Sequence, residues 1–328
     1  MTRENVLRHG LTRILVLAVA LATGFGASAQ TFPSKPVRII VPFGAGGVAD
    51  LTARTVGQKL SESLGQPVVI ENKPGAGGIV AGEAVAKAEP DGHTLLLMSN
   101  GTAVSAGMFK SLPFDPVKDF VPISTLGFFD IAIVTPAESK FKTLGELLAF
   151  AKANPGKLNL GTINIGSTQN LAAELFQSTS GIDMQIVPFN GTPAVITALR
   201  GGQIDAAVEI LGPILPQITA KALRALAVTG ENRAAVLPDV PTAKESGLPA
   251  FVASSWNALA APAKTPKEVV ARLNKEIAAA LNSPDVKKKL HDLNVEAYSS
   301  TPEQATELLA SEIKRWGAVI VRAKIPLQ

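Results

Sequence analysis

The sequence predicts an α/β protein of two lobes, each a mostly parallel sheet flanked by helices. Short apolar runs alternate with helical segments over residues 37–99, and the same alternation returns over residues 144–228. Such alternation is typical of strand–helix–strand units with parallel strands. The chain has 328 residues, enough for two domains. Its last part is helical, which completes the α/β assignment.

The first run begins with an apolar strand at 37–43, bounded by proline and glycine. A helix is predicted at 51–64, where apolar residues recur every three or four positions until Gly65 and Pro67 end it. The remaining elements of this run are a strand at 67–71, a helix at 79–88 and a strand at 94–99.

The second run follows a proline-rich stretch at 113–122. Strands are predicted at 121–126, 131–135, 157–160, 184–187, 205–210, 223–228 and 255–260, and helices at 144–153, 168–179 and 193–200. Three helices complete the chain. Thr265 and Thr301 each open a predicted capping box with proline in the first helical position, and Ser283 with Pro284 is a simpler start. Trp316 lies on an apolar helix stripe and is predicted to be a core residue.

The helical tail is expected to return to the first lobe. We therefore predict one lobe from residues 30–129 plus 254–328, and a second lobe from residues 130–253 inserted between two chain crossings.

Residues 1–29 are predicted to be a cleaved secretory signal peptide. Three arginines precede an apolar run at 14–22, and Ala27-Ser28-Ala29 supplies a small-residue cleavage signal. The apolar run is about half the roughly 20 residues of a membrane-spanning helix. The chain has no cysteine for a lipid anchor, so we expect a free periplasmic protein.

Composition excludes several function classes. Without cysteine, disulfides, thiolate metal sites and cysteine nucleophiles are excluded, and three histidines leave little for a metal site or a triad. The net charge is only +4, with one basic block at Lys287–Lys289 that is expected on a solvated helix face. Nucleic acid is therefore not an expected partner, and no cofactor is predicted.

The most informative turn is the segment Pro42–Asp50, PFGAGGVAD, between the first strand and the first helix. Its glycines let backbone amides gather at a helix N-terminus, which favours a carboxylate or a phosphate. The alternative is a tight strand–helix turn that binds no ligand. The turn also matches a dinucleotide fingerprint through Gly44, Gly46 and Ala49, with Glu71 at the end of the next strand. An NAD-dependent oxidoreductase therefore stays open as an alternative.

Three further loops could donate hydrogen bonds, although each is also an ordinary turn or helix cap. They begin at Ser99, Gly166 and Phe189. Two loops in each half of the chain suggest a cleft with donors on both walls. Asp205 is a candidate acid facing that cleft. No motif for a hydrolase, a zinc protease or a P-loop is present, so the protein is not expected to be an enzyme.

Several segments of the chain resemble those of a known family. It contains VRIIVPFGAGGVAD, LGQPVVIENKPGAGG, DGHTLLLMSNGT, LRALAVTGENRAAVLPDVPTAKESG, WNALAAPAKTP and VVARLNKEIAAAL in this order. These segments are similar to those of the Bug proteins, the substrate-binding components of tripartite tricarboxylate transporters. The resemblance implies a type II, Venus-flytrap periplasmic binding protein that acts as a monomer, closes on a small carboxylate and passes it to membrane transporter subunits. The alternative function is that of a periplasmic ligand-sensing protein for a two-component sensor.

The resemblance also implies the binding residues. In the first lobe these are Phe43, Ala45, Gly46, Gly47, Val48, Ala49, Asp50, Ser99, Gly101 and Thr102; in the second they are Gly166, Ser167, Thr168, Asn190, Gly191 and Asp205. Two segments depart from the family pattern. Gly166-Ser167-Thr168-Gln169-Asn170 stands where members commonly read G-S-x-S-H, and Pro188-Phe189-Asn190-Gly191 stands for P-Y-x-G. Both departures fall on the wall that would contact the far end of the solute.

Overall fold

Strands and helices alternate through most of the part of the chain that the computed structural model describes, residues 32–322 and 324–328. The predicted signal peptide, residues 1–29, lies outside the described residues. Lys35–Gln328 form one unit. The strands are β1 (Val37–Val41), β2 (Val68–Asn72), β3 (Thr94–Ser99), β4 (Phe120–Pro136), β5 (Asn159–Ile163), β6 (Gln185–Phe189), β7 (Ala206–Ile210), β8 (Leu223–Val228), β9 (Ser254–Pro262) and β10 (Val295–Ala297). The helices are α1 (Val48–Leu64), α2 (Ile79–Ala86), α3 (Asn100–Met108), α4 (Leu144–Ala153), α5 (Thr168–Ser180), α6 (Thr192–Arg200), α7 (Leu211–Thr219), α8 (Lys267–Asn282), α9 (Pro284–Asp292) and α10 (Pro302–Arg322).

The strands follow one hydrogen-bonded path in the order β2-β1-β3-β9-β4-β7-β5-β6, and β8 and β10 also pair with β4. The predicted α/β class is confirmed. The parallel pairs are those of β1 with β2 and β3, and of β5 with β6 and β7. Pairs that involve β4 or β9 are antiparallel. The sheet is therefore mixed, because the two long strands run through its centre.

The 17-residue strand β4 is shared by two sheets. Its first part pairs with β9 as far as Asp130, which lies opposite Ser254. From Ile131 onward it pairs with β7 and β8 instead. The sequence predicted two separate pieces here. They form one strand because its apolar residues continue through the change of partner, and nearly all of them are buried.

The loops predicted to bind a ligand lie at the carboxyl ends of parallel strands. β1, β2 and β3 run in the same direction, so the loops that follow them meet at one edge. The same holds for β5, β6 and β7 in the second sheet. Helices α1, α3, α5 and α6 begin at these edges. Ligands of α/β proteins commonly bind in such positions.

Some local predictions needed correction. Thr301 forms the predicted capping box, in which its amide donates to Gln304 Oε1 at 3.0 Å and the Gln304 amide donates to Thr301 Oγ1 at 3.2 Å. The capping box at Thr265 was wrong, because the N-cap of α8 is Pro266 and no side chain caps it. Helix α7 was not predicted, since prolines inside it hid the helical pattern. Helix α3 begins at Asn100, where a loop was expected.

Trp316 is a core residue, as predicted, with no exposed surface. Its indole Nε1 donates to Asn100 Oδ1 at 2.7 Å and to Glu312 Oε2 at 2.9 Å. Asn100 is the first residue of α3 and is itself fully buried. The C-terminal helix α10 therefore fixes the start of α3, which borders the candidate site.

Candidate functional site

Two walls of loops face each other and touch. We call residues 42–50, 73–78 and 99–102 the first wall, and residues 164–170 and 189–193 the second wall. Across the gap, the Gly77 amide donates to the Ile165 carbonyl at 2.9 Å. Ser105, on α3, donates from its hydroxyl to the Gly166 carbonyl at 3.2 Å. The structure thus shows a closed arrangement of the two walls.

Glycines allow this close approach. A Cβ atom on Gly44 would lie 2.4 Å from the carbonyl oxygen of Asn190, and a Cβ on Gly166 would lie 2.9 Å from Gly77 Cα. Both contacts are with backbone, which cannot rotate away as a side chain can. Any larger residue at Gly44 or Gly166 would therefore force the walls apart.

Two neighbouring cavities lie between the walls. The glycine cavity is lined by residues that include Gly75, Gly77, Gly78, Gly101, Gly166 and Asn164. The amide cavity is lined by residues that include Val48, Ala49, Gln169, Thr192, Ser255 and Asn257. Phe43 and Ser99 border both cavities. The two cavities are thus parts of a single cleft.

The first wall presents the N-terminus of α1. The first helical hydrogen bond of α1 is from the Leu51 amide to the Gly47 carbonyl, so the amides of residues 48–50 precede the helical ladder. Gly47 and the residues that follow it line the amide cavity. The positive end of a 17-residue helix therefore points at the cavity.

An ion pair between the buried Asp50 and the half-exposed Arg54 holds the glycine turn in place. Asp50 Oδ2 accepts from the Gly46 amide at 3.0 Å and from Arg54 Nε at 3.0 Å. Asn72 accepts from Arg54 and donates to the Phe43 carbonyl. Burial raises the pKa of Asp50, but hydrogen bonds from Arg54, Gly46 and Asn72 outweigh it and leave the pKa below its ordinary value. Asp50 is therefore ionised and anchors the turn.

The second wall is built on a buried carboxyl. Glu209 has no exposed surface, and its Oε2 accepts from Thr192 Oγ1 at 3.1 Å, from Gln169 Nε2 at 3.4 Å and from the Ile210 amide at 3.2 Å. Burial raises the pKa of Glu209 to about 7, although these three hydrogen bonds oppose the shift. Glu209 orients Gln169 and Thr192, which both line the amide cavity.

Serine caps begin two of the helices at the cleft. Ser99 Oγ accepts from the Gly101 amide at 3.0 Å, and Thr102 Oγ1 accepts from the Ser99 amide at 3.2 Å. In the second wall Ser167 Oγ accepts from the Asn170 amide at 3.1 Å. These caps fix the positions of α3 and α5 beside the cavities.

The structure brings most of the predicted residues together. Ten of them line the cavities: Phe43, Gly47, Val48, Ala49, Ser99, Gly101, Thr102, Gly166, Ser167 and Thr168. Ala45 is exposed, and Gly46 and Asp50 are bonded to each other behind the turn. Asn190 and Gly191 contact Gly44 instead of lining a cavity.

Asp205 is not brought to the cleft. Its Oδ2 accepts from the Asn159 amide at 2.9 Å, at the start of β5. The cleft lies at the other end of β5 and β7, where Ile163 and Ile210 line the amide cavity. The expectation that Asp205 faces the cleft was therefore wrong, because this acid joins the beginnings of two parallel strands.

Sequence analysis missed several residues at the site. Thr192, Ser255 and Asn257 line the amide cavity, and Glu209 supports it from behind. Glu209 is the single polar residue of β7, and Asn257 is the one amide in β9, which also contains two serines. These polar residues were the available signal, because a polar group in a buried strand usually has a specific partner.

Comparison with known proteins identifies the family. The profile of the tripartite tricarboxylate transporter family receptor, TctC, matches residues 52–325. The chain belongs to the TctC family. Protein BugT of Bordetella pertussis is 37% identical over 94% of this chain and 97% of its own length.

Solved structures of TctC relatives have the same fold. The periplasmic binding protein BugD is 31% identical with a TM-score of 0.87, and the match covers 90% of this chain and all of BugD. MatC of Rhodopseudomonas palustris, solved with bound malate, is 34% identical with a TM-score of 0.85 over 88% of this chain and all of MatC. A second R. palustris protein, solved with adipate, is 30% identical with a TM-score of 0.87 over 90% of this chain and all of its own.

The family assignment confirms several predictions. This TctC protein has the fold of periplasmic binding proteins and is a solute-binding protein, not an enzyme. The dinucleotide fingerprint in the first glycine turn therefore does not indicate a dehydrogenase. Within the described ranges, no helix is both long and apolar enough to span a bilayer.

Proposed function

We propose that the protein captures a small carboxylate between the two walls and delivers it to the membrane subunits of a tripartite tricarboxylate-type transporter. One observation supports the proposal that the solute is a carboxylate. The N-termini of α1, α5 and α6 converge on the amide cavity, and no lining residue of either cavity is charged. Helix N-termini stabilise an anion without a cationic side chain. Relatives solved with malate and with adipate agree with this class of solute.

Binding is proposed to work by closure of two lobes, residues 30–129 plus 254–328 and residues 130–253. The change of partner in β4 at Asp130, opposite Ser254, supports these boundaries. A solute that contacts both walls favours the closed arrangement, and the closed surface then docks on the transporter. The solute contacts are proposed to come from the first glycine turn, the Ser99 loop and the starts of α5 and α6.

The protein is proposed to work as a periplasmic monomer after removal of residues 1–29. The basic and apolar pattern of that segment, together with the absence of cysteine from the whole chain, supports export without a lipid anchor.

A thermal-shift screen of the mature chain tests the carboxylate proposal. It should cover dicarboxylates, tricarboxylates, amino acids, aromatic acids and NAD. A ligand at one hundred times its dissociation constant adds about 2.7 kcal/mol to the free energy of unfolding, which raises the melting temperature by several degrees. A shift with one class of acid supports the proposal. A shift with NAD alone contradicts it.

Uptake of the identified acid tests delivery. Cells that lack this chain should lose uptake of the radiolabelled acid and recover it when the chain is restored. Unchanged uptake, with loss of gene induction by the same acid, would assign the chain to a sensor instead of a transporter.

A further inference from the structure

Asn257 carries an unexplained buried amide. The residue is 1% exposed, and neither its Nδ2 nor its Oδ1 has a hydrogen-bond partner among the described residues. A buried polar group without a partner destabilises the folded protein, because it has lost its hydrogen bonds to water. Native proteins rarely keep such a group unless a ligand or another group meets it.

The side chain of Asn257 is directed into the amide cavity. Alternate residues of a strand lie on the same face, so Ser255 and Asn257 share one face of β9 and Trp256 lies on the other. Ser255 Oγ lies 3.2 Å from Thr168 Oγ1 of the second wall. Both Ser255 and Asn257 line the amide cavity, whereas Trp256 lines neither cavity.

The neighbouring side chains are already engaged. Gln169 Nε2 and Thr192 Oγ1 both donate to Glu209. Ser255 and Thr168 share a hydrogen bond with each other. Asn257 therefore offers the cavity a donor and an acceptor, side by side, that the protein does not use.

The hydrogen-bonding capacity of Asn257 Nδ2 and Oδ1 determines which ligand group can satisfy both atoms. A carboxylate only accepts hydrogen bonds, so it would satisfy Nδ2 and leave Oδ1 buried without a donor. An ammonium group would satisfy Oδ1 alone. A primary carboxamide both donates and accepts, so it pairs with both atoms of Asn257 at once. It also brings no second charge into a cavity that has no charged lining residue.

We propose that Asn257 selects a carboxylate solute that also bears a primary carboxamide, in preference to the matching dicarboxylate. This inference rests on the proposed function, because the carboxylate end of the solute is the part held by the helix N-termini. Sites built to pair with a polar group discriminate strongly against analogues that lack it, because their own polar atoms are then left unpaired.

Calorimetric titration with matched pairs of acids tests the inference. The probes are succinate against succinamate and adipate against adipamate, each differing only in one carboxylate or carboxamide. The mature wild-type chain should bind one of the half-amides at least about tenfold more tightly than its diacid. Asn257→Leu keeps the shape of the side chain and removes both polar atoms. It should weaken the half-amide about tenfold and change the diacid little, so that the preference disappears.

A control separates this effect from the loss of any buried polar group. Thr265 Oγ1 is also buried without a partner, and Thr265 lines neither cavity. Thr265→Val should leave both affinities unchanged. Asn257→Leu should fold at least as well as the wild type, since it removes an unpaired buried amide, and a melting curve checks this.

The outcomes are distinct. Equal affinity of the wild type for diacid and half-amide, or a preference that survives in Asn257→Leu, overturns the inference and leaves the proposed function intact. Binding of neither series by the wild type overturns the inference, and the proposed function fails as well only if no acid in the thermal-shift screen stabilises the chain.

Discussion

The two walls of the cleft present different chemical groups to the cavities. The first wall is rich in glycine and presents mainly backbone groups, and its first turn is held by the ionised pair of Asp50 and Arg54. The second wall presents side chains, and two of them, Gln169 and Thr192, are oriented by the buried carboxyl of Glu209. The first wall offers amides that any carboxylate can use, whereas the second can change its hydrogen-bonding pattern through single substitutions.

This difference shows how one fold can keep a common anchor and vary its solute. A change in the first wall alters the backbone path, because its glycines meet the backbone of the other wall. A change of the side chain at Gln169 or Thr192 in the second wall alters which groups face the cavity. Opposite pH dependences follow from the two carboxyl groups, and they provide the sharpest test of the comparison.

The largest expected effect is that of Glu209→Gln on stability. Because burial raises the pKa of Glu209 from 4.5 to about 7, the folded chain holds this proton more tightly than the unfolded chain. Stability is therefore lost as the pH rises from 4.5 to 7. Glutamine mimics the protonated acid, so Glu209→Gln should stabilise the protein by about 3 kcal/mol at pH 8 and little at pH 4.5. Urea unfolding at both values measures this.

The control for Glu209→Gln is Glu307→Gln, which makes the same change at an exposed position. It should leave the pH dependence of stability as in the wild type. A Glu209→Gln variant with the wild-type pH dependence would show that burial does not raise the pKa of this carboxyl.

The next effect is that of Gly44→Ala on closure. The added Cβ would lie 2.4 Å from the Asn190 carbonyl oxygen, so the walls must separate for it to fit. Overpacking of this kind costs about 1–3 kcal/mol, which weakens solute binding roughly five- to hundredfold. Calorimetry measures the affinity, and small-angle scattering should show a larger radius of gyration. Gly145→Ala, at a helical glycine remote from the cleft, should change neither quantity.

Asp50→Asn should have a smaller effect, through the first wall. It removes the charge that holds Arg54 and the Gly46 amide, at a cost of about 1.5 kcal/mol at neutral pH. Because the pKa of Asp50 is lowered from 3.8, the wild type gains this stability above that pH and loses it as the pH falls below. Denaturant unfolding at pH 7 and pH 3 should therefore show a larger difference between the chains at pH 7 than at pH 3.

Lys87→Met is the matched control for Asp50→Asn. It breaks another ion pair at helical spacing, with Glu83, but that pair is exposed. Exposed pairs contribute about 0–1 kcal/mol, so the change should be close to neutral. An equal loss in both variants would contradict the anchoring role of Asp50.

The smallest effect is expected for Ser167→Ala in the second wall. Loss of the cap on α5 should lower the free energy of unfolding by about 1 kcal/mol. Thr143→Ala, which removes the cap of α4 far from the cavities, should cost about the same. Only Ser167→Ala should also weaken solute binding. Equal binding by both variants would place the solute away from the start of α5.

The first wall could be predicted from sequence because its residues are contiguous. A glycine run between a strand and a helix has a local meaning that does not depend on the rest of the fold. The turn at Pro42–Asp50 and the loop that begins at Ser99 were found in this way. The resemblance to the Bug proteins then gave their individual binding residues, and seven of these line the cavities.

The second wall was predicted less completely because register decides which residues face the cleft. Asp205 and Glu209 lie near opposite ends of β7, about 13 Å apart along the strand. Sequence analysis chose Asp205, which bonds to the start of β5, and missed Glu209. Asn257 reaches the cavity through the pairing of β9 with β3 and β4, a contact distant in sequence.

The shared strand β4 also has a consequence for unfolding. The path from β1, β2 and β3 to β5, β6 and β7 runs through β4, so loss of that strand disrupts both sheets together. Independent melting of two halves would require a strand to keep its structure after losing half of its partners. We therefore expect a single cooperative calorimetric transition, with equal calorimetric and van't Hoff enthalpies, so that one melting temperature reports on both walls.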